Sequence, residues 1–152
     1  MRFQKESFTE ELFEEAYPLL FQHWREIAHY QDIPLDPNLE GYMAANEAGG
    51  LRVYTARDNE GVLVGYAVFI VRRNLHYSSS LQAIQDILYI APTRRGLGGY
   101  FIHWCDDRLK EEGVQVVYHH VKEAHNFGAL MERLGYELVD HIYARRLDQN
   151  GS

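Results

Sequence analysis

Two arginines and three glycines stand together near the middle of the chain, in Arg94-Arg95-Gly96-Leu97-Gly98-Gly99, just after Pro92. Glycines let a ligand approach the backbone with no side chain in the way, and the first turn of a helix leaves N–H groups unpaired at the positive end of its dipole. Arginines add charge-assisted hydrogen bonds. Together these are the parts of a phosphate cradle. Two better-known phosphate loops do not fit. A nucleotide P-loop needs Lys and then Ser or Thr after its last glycine, where this chain has Tyr100 and Phe101. A dinucleotide fingerprint needs an acidic residue closing the next strand, and here that stretch closes in Tyr118, His119 and His120.

The elements that must position the cradle are legible on either side of it. Ala83 to Ile90 is an apolar, β-branched run stopped by Pro92, which cannot donate to a strand ladder. Phe101, Ile102, Cys105 and Leu109 then fall on one face at helical spacing until Gly113 ends the helix. Alternation along the central strand puts Ile84, Asp86, Leu88 and Ile90 on one side. Eight histidines raise the question of a metal. His119, His120 and His125 lack a zinc-helix pattern and no Cys pair accompanies them, so no metal is expected.

Before the central strand, Phe3 to Lys5 reads as a short strand and Thr9 as a helix cap followed by Glu10 and Glu11. Pro18 predicts a break near Tyr17, with a second helical stretch to about Tyr30 that sets His23, Glu26 and Tyr30 on one side. A proline-bounded connector and a short helix ended by Gly49-Gly50 follow. Leu51 to Arg57 and Val62 to Arg72 form a hairpin through Asp58-Asn59-Glu60-Gly61, and Asn74 to Ser80, with His76, links it to the central strand. After the central helix, Val114 to Val121 is a fifth strand, Asn126 to Leu134 a last helix and Tyr136 to Leu147 a two-stranded hairpin. Residues 149–152 are a polar tail.

Length and composition set the outer bounds. A chain of 152 residues, 46% hydrophobic and 13% aromatic, is a folded globule large enough for one domain with a real core. A net charge of −7 argues against a nucleic-acid partner, which needs phosphates neutralised. No apolar run reaches membrane-spanning length and no signal peptide opens the sequence, so no membrane partner and a cytoplasmic location are expected. The single Cys105 lies on the apolar helix face and reads as core.

The strand, Pro92, the Arg94-to-Gly99 turn, the long helix and the late Glu132-Arg133-Leu134-Gly135-Tyr136 together resemble the GCN5-related N-acetyltransferases over nearly the whole chain. The wording Leu-His-Tyr, Asp-Ile-Leu-Tyr and Arg-Arg-Gly-Leu is most similar to a branch found in phages and prophages. The resemblance implies one mixed α/β domain over residues 1–148 that binds acetyl-CoA as acyl donor. Arg94, Arg95, Gly96, Leu97, Gly98, Gly99 and Tyr100 would hold the pyrophosphate, and the backbone of Leu88, Tyr89 and Ile90 the pantetheine arm, where the central and fifth strands splay. His23, Glu26 and Tyr30 would line the acceptor site. The implied reaction is acetyl transfer to a primary amine, on a small molecule or a protein lysine or N-terminus. Asp86 would be the base, and His120 or His76 would stand in for the family's tyrosine acid, whose place is taken by Met131. Family members often pair through their late strands, which adds a homodimer to the implied partners. The competing reading is an inactive CoA-binding module, motivated by Met131 and by Leu97 in the signature.

Overall fold

The computed structural model describes residues 1–149. Its one sheet carries β1 (Arg2–Glu6), β2 (Leu51–Arg57), β3 (Leu63–Arg73), β4 (Leu81–Ile90) and β5 (Val116–Tyr118) in sequential order. The first four strands are antiparallel and β4 pairs with β5 in parallel, as hairpin connections and a helical crossover require. The helices are α1 (Glu10–Ile27), α2 (Leu39–Glu47), α3 (Gly98–Glu111) and α4 (Gly128–Arg133). The result is a single α/β domain built on a mixed sheet, as expected, with helices on both of its faces.

Local signals explain most boundaries. The Thr9 side chain accepts from the N–H of Leu12 at 3.1 Å and starts α1; Asn38 accepts from Gly41 at 3.0 Å and starts α2. Gly113, at φ 89°, ends α3 in the left-handed conformation that glycine adopts without strain. Gly65 has a different reason, since a Cβ there would come within 2.9 Å of the Tyr89 carbonyl on the neighbouring strand.

Two hydrophobic cores lie on opposite sides of the sheet. On one side Phe101, Cys105 and Leu109 of α3 pack into Tyr54, Phe69 and Ala83. On the other, Leu12, Ala16 and Leu19 of α1 and Tyr42 of α2 meet Val53, Leu63, Val68 and Ile87. The face of α3 is the one its spacing predicts.

Four expectations need correction. The helix does not break at Tyr17: α1 runs continuously through Pro18. Pro18 is exposed, so the carbonyl it leaves unpaired faces solvent, and buried contacts on the opposite side hold both halves in line. The helix also ends at Ile27, which leaves Tyr30 outside it. The turn after Pro92 is a 3-10 helix over Pro92–Leu97 that feeds directly into α3. Finally, no hairpin forms over Tyr136 to Leu147. This stretch lies outside helix and strand, with Leu138, Tyr143 and Leu147 exposed, because β5, the edge strand, is only three residues long and offers too short an edge to pair with. Arg146 instead pairs with Asp32 at 2.9 Å. Of the polar tail, residues 150–152 lie outside the described residues.

Candidate active site

The site forms where β4 and β5 part. Their parallel pairing covers Gln82, Ala83 and Ile84 against Val116, Val117 and Tyr118, and then stops. The Gln85 side chain caps the end of the ladder: its Oε1 accepts from the backbone N–H of His120 at 3.1 Å and lies 3.2 Å from Nδ1 of His119. From there to Ile90, β4 is paired with β3 alone, so its other edge is open along its second half.

On that open stretch the β3–β4 register slips. Val68 pairs with Ile87 and Phe69 with Gln85, so Asp86 has no partner and forms a β-bulge. The bulge breaks the predicted alternation, and Asp86 does not share a face with Leu88 and Ile90. Those two pack into the α3 core, whereas Ile87 packs into the α1 core and Asp86 reaches Tyr42 of α2. The Tyr42 hydroxyl donates to Oδ2 of Asp86 at 2.5 Å. Burial, with the carboxylate beside it, raises the Tyr42 phenol well above its ordinary range, so it remains a donor.

At the far end of β4 stands the Arg-Gly turn. Arg95 donates through Nη2 to both oxygens of Glu26 at 2.6 Å and through Nε to the Ile90 carbonyl at 3.2 Å, with its guanidinium 5.8 Å from the centre of the Tyr89 ring. Its charge is therefore shared with α1, while the neighbouring Arg94 is exposed. The glycines serve separate purposes. A Cβ on Gly96 would meet nothing within 4 Å, whereas one on Gly99 would press to 3.3 Å from Leu130 of α4. Gly99 lets two helices close up, and Gly96 leaves the cradle open. The N–H of Gly98 is already taken by the Arg95 carbonyl, and the Leu97 and Tyr100 positions complete the turn.

The expected acceptor residues separate. His23 is buried and stacks on Tyr89, ring centres 4.8 Å apart; burial pushes its imidazole down to about 4, so it is neutral at pH 7. Glu26 is committed to Arg95, and Tyr30 lies under Arg146, 5.3 Å from its ring centre. His76 sits in the β3–β4 turn, at the end of β4 away from the cradle and five residues of strand or more from Asp86. At about 3.3 Å per residue that separation exceeds direct proton transfer. His120 is better placed: its backbone N–H bonds the side chain of Gln85, the neighbour of Asp86, where the two strands part. Met131 is buried in α4, where it fills core.

Tyr42 and Gln85 complete the site and were not singled out from the sequence. Gln85 carried a signal, since an amide at an otherwise apolar strand position next to Asp86 has to find a partner. Tyr42 carried none, because its role depends on contact with Asp86, far away in the chain.

No protein-family model matches the sequence, and no curated protein matches it. Solved structures do match in three dimensions. A ribosomal-protein-alanine N-acetyltransferase from Brucella melitensis biovar Abortus 2308 superposes with a TM-score of 0.70 at 17% identity, over 97% of this chain and 100% of that one. An aminoglycoside acetyltransferase from an uncultured soil metagenomic sample, solved with sisomicin, gives 0.70 at 16% identity over 95% of each chain. A predicted acetyltransferase from Clostridium acetobutylicum, solved with acetyl-CoA, gives 0.69 at 12% identity over 96% of each. At these identities the likeness establishes the fold alone: the chain folds as these acetyltransferase structures do across nearly its whole length.

Proposed function

We propose that this protein transfers the acetyl group of acetyl-CoA to a primary amine. The observation that carries the reading is the opening between β4 and β5, which starts beside the bulged Asp86 and runs along a free strand edge to the Arg-Gly turn. An extended chain with amide groups, such as pantetheine, can add to such an edge through main-chain hydrogen bonds. Arg94 and the open backbone at Gly96 would meet the pyrophosphate, with Leu97, Gly98 and Tyr100 shaping the turn around it. The aminoglycoside and ribosomal-protein enzymes that share the fold act on amines, which supports the same acceptor class here.

Acetyl-CoA supplies an activated acyl group. The amine nitrogen uses its electron pair to form the new N–C bond, the C–S bond breaks with its pair leaving on sulfur, and the nitrogen gives its proton to Asp86. Asp86 is suited to this because it is exposed at the bulge and held in place by Tyr42. An alkyl thiol has a pKa of roughly 8.5, so the thiolate can leave without a strong acid and take its proton from His120 or from solvent. The homodimer implied by the resemblance would use the exposed apolar arm around Leu138, Ile142 and Tyr143.

One observation favours an inactive CoA-binding module instead: Met131, in the place of the family's acid, is buried as core. Calorimetric titration with acetyl-CoA, followed by thiol release with pooled primary amines and lysine peptides, decides between the two. Binding with thiol release is the expected result. Binding with no release across the panel would favour the inactive module, and no binding would refute both.

A further inference from the structure

Beneath α1, between that helix and the sheet, lies a cavity of about 70 Å³ whose walls are almost wholly apolar. Ala16 and Leu20 form part of its roof and Leu63, Val68 and Ile87 part of its floor. Three polar side chains reach it. Thr55 is engaged by Glu6 and Tyr42 by Asp86, but the hydroxyl of Tyr66, a residue only 5% exposed, has no hydrogen-bond partner among the described residues. A buried donor left unmade is costly, and such groups are rare without a ligand or a water to meet them. Tyr42 lines the cavity and its hydroxyl ends on Asp86, and Ile87, next in sequence to Asp86, is in the floor, so the carboxylate lies just beyond the cavity wall.

We infer that this cavity is the acceptor pocket, and that its occupant is a primary amine on a compact apolar body whose far end carries one hydrogen-bonding atom for Tyr66. The inference rests on the acetyl-transfer reading and names its substrate class. A water-sized group needs on the order of 10–15 Å³ of such space, so the cavity itself holds about five to seven non-hydrogen atoms, enough for a hydroxyphenyl ring with the amine and its two-carbon tether left outside toward Asp86. The amine would lie at Asp86, and the apolar body would leave water as it enters the pocket. A polycationic sugar does not suit these walls, because no carboxylate lines them.

The probes are tyramine, phenethylamine and ethanolamine, each measured for thiol release from acetyl-CoA and, separately, for calorimetric binding to the protein without acetyl-CoA. The expected kcat/KM order is tyramine over phenethylamine by roughly three- to tenfold, the scale of one hydrogen bond. Phenethylamine should exceed ethanolamine by at least about tenfold, the scale of burying a few methylene groups. Tyr66→Phe should erase the first gap and keep the second. Ala16→Phe, which fills the cavity, should abolish tyramine binding and leave acetyl-CoA affinity unchanged, which also shows that the variant folds. If tyramine binds and acetyl-CoA does not, the acetyl-transfer reading fails while the pocket stands. If acetyl-CoA binds but ethanolamine equals tyramine, or Tyr66→Phe leaves the tyramine preference intact, the pocket assignment is overturned.

Discussion

The two faces of the sheet are built differently. On the α3 face Tyr54, Phe69, Phe101 and Leu109 have no exposed surface at all, and the helix is held by continuous packing along its length. On the α1 face the helix is pinned at its ends. Near its start Glu15 takes Arg57 of β2 at 2.7 Å, and Arg57 also holds Glu6 of β1; near its end Glu26 takes Arg95 of the cradle. Beneath the first half of the helix, around Leu12, Ala16 and Leu20, lies the cavity. Close packing makes one face the stable half of the domain, whereas end-pinning lets the other keep a space without losing the helix. A single sheet thus separates stability from the candidate chemistry.

The sharpest test of that separation is Asp86→Asn. Loss of a general base should lower kcat by about 10²–10⁴-fold. The KM for acetyl-CoA and the urea midpoint should stay near wild type, since Asp86 is exposed and adds little to the core. A large fall in stability with unchanged kcat would reverse the assignment of this face.

Matched leucines compare the packing directly. Leu109→Ala on the α3 face should cost about 3–5 kcal/mol of unfolding free energy, because its contacts are complete and a cavity must open. Leu12→Ala, on the wall of an existing cavity, has fewer contacts to lose and should cost about 2 kcal/mol. Equal costs in urea unfolding would mean that the faces are packed alike.

Acid should loosen both faces. Burial holds His23 on the α1 side and His119, beside Phe69 on the α3 side, at about 4. His119 is also opposed by His120, while His23 is drawn upward by Glu26 and downward by Arg95, His125 and Lys122. With folded values below the unfolded one of about 6.5, the unfolded chain binds more protons between them. Stability is therefore complete above about pH 6.5 and falls as the pH drops toward 4. Each histidine should contribute on the order of 1–2 kcal/mol of loss between pH 7.5 and 5. His23→Gln and His119→Gln should each remove one share of the drop seen in urea midpoints.

The smallest effects on stability concern the cradle. Arg94→Glu should weaken acetyl-CoA binding by roughly 1–3 kcal/mol in calorimetry and leave unfolding within about 0.5 kcal/mol of wild type. Glu26→Gln should lower stability by about 0.2–1 kcal/mol, as for other partly exposed ion pairs, because it removes one of the pins on α1. A Glu26 variant with full stability would show that end-pinning does not hold the helix.

Much of the fold was legible because its causes are local. Thr9 caps α1, Gly113 ends α3, and the spacing of Phe101, Ile102, Cys105 and Leu109 names the buried face of α3. What misled was a local rule overruled at a distance. Pro18 argued for a break that packing on the other side of α1 prevents, and residues 136–147, read as a hairpin, find only a three-residue edge strand to join. The site was legible in outline only. Alternation along β4 cannot reveal a bulge, because a bulge is a mismatch between two strands, and it alone turned Asp86 toward α2.

The sequence by itself determined the strand, turn and helix that carry the cradle and the carboxylate candidate, since periodicity, proline and glycine act within a few residues of where they stand. Only the tertiary structure decided which groups meet. It joined Tyr42 to Asp86 across 44 positions and Arg95 to Glu26 across 69, and it left the Tyr66 hydroxyl alone at the wall of a cavity. Such contacts follow from how helices settle on a sheet, and packing is a property of surfaces that lie far apart along the chain.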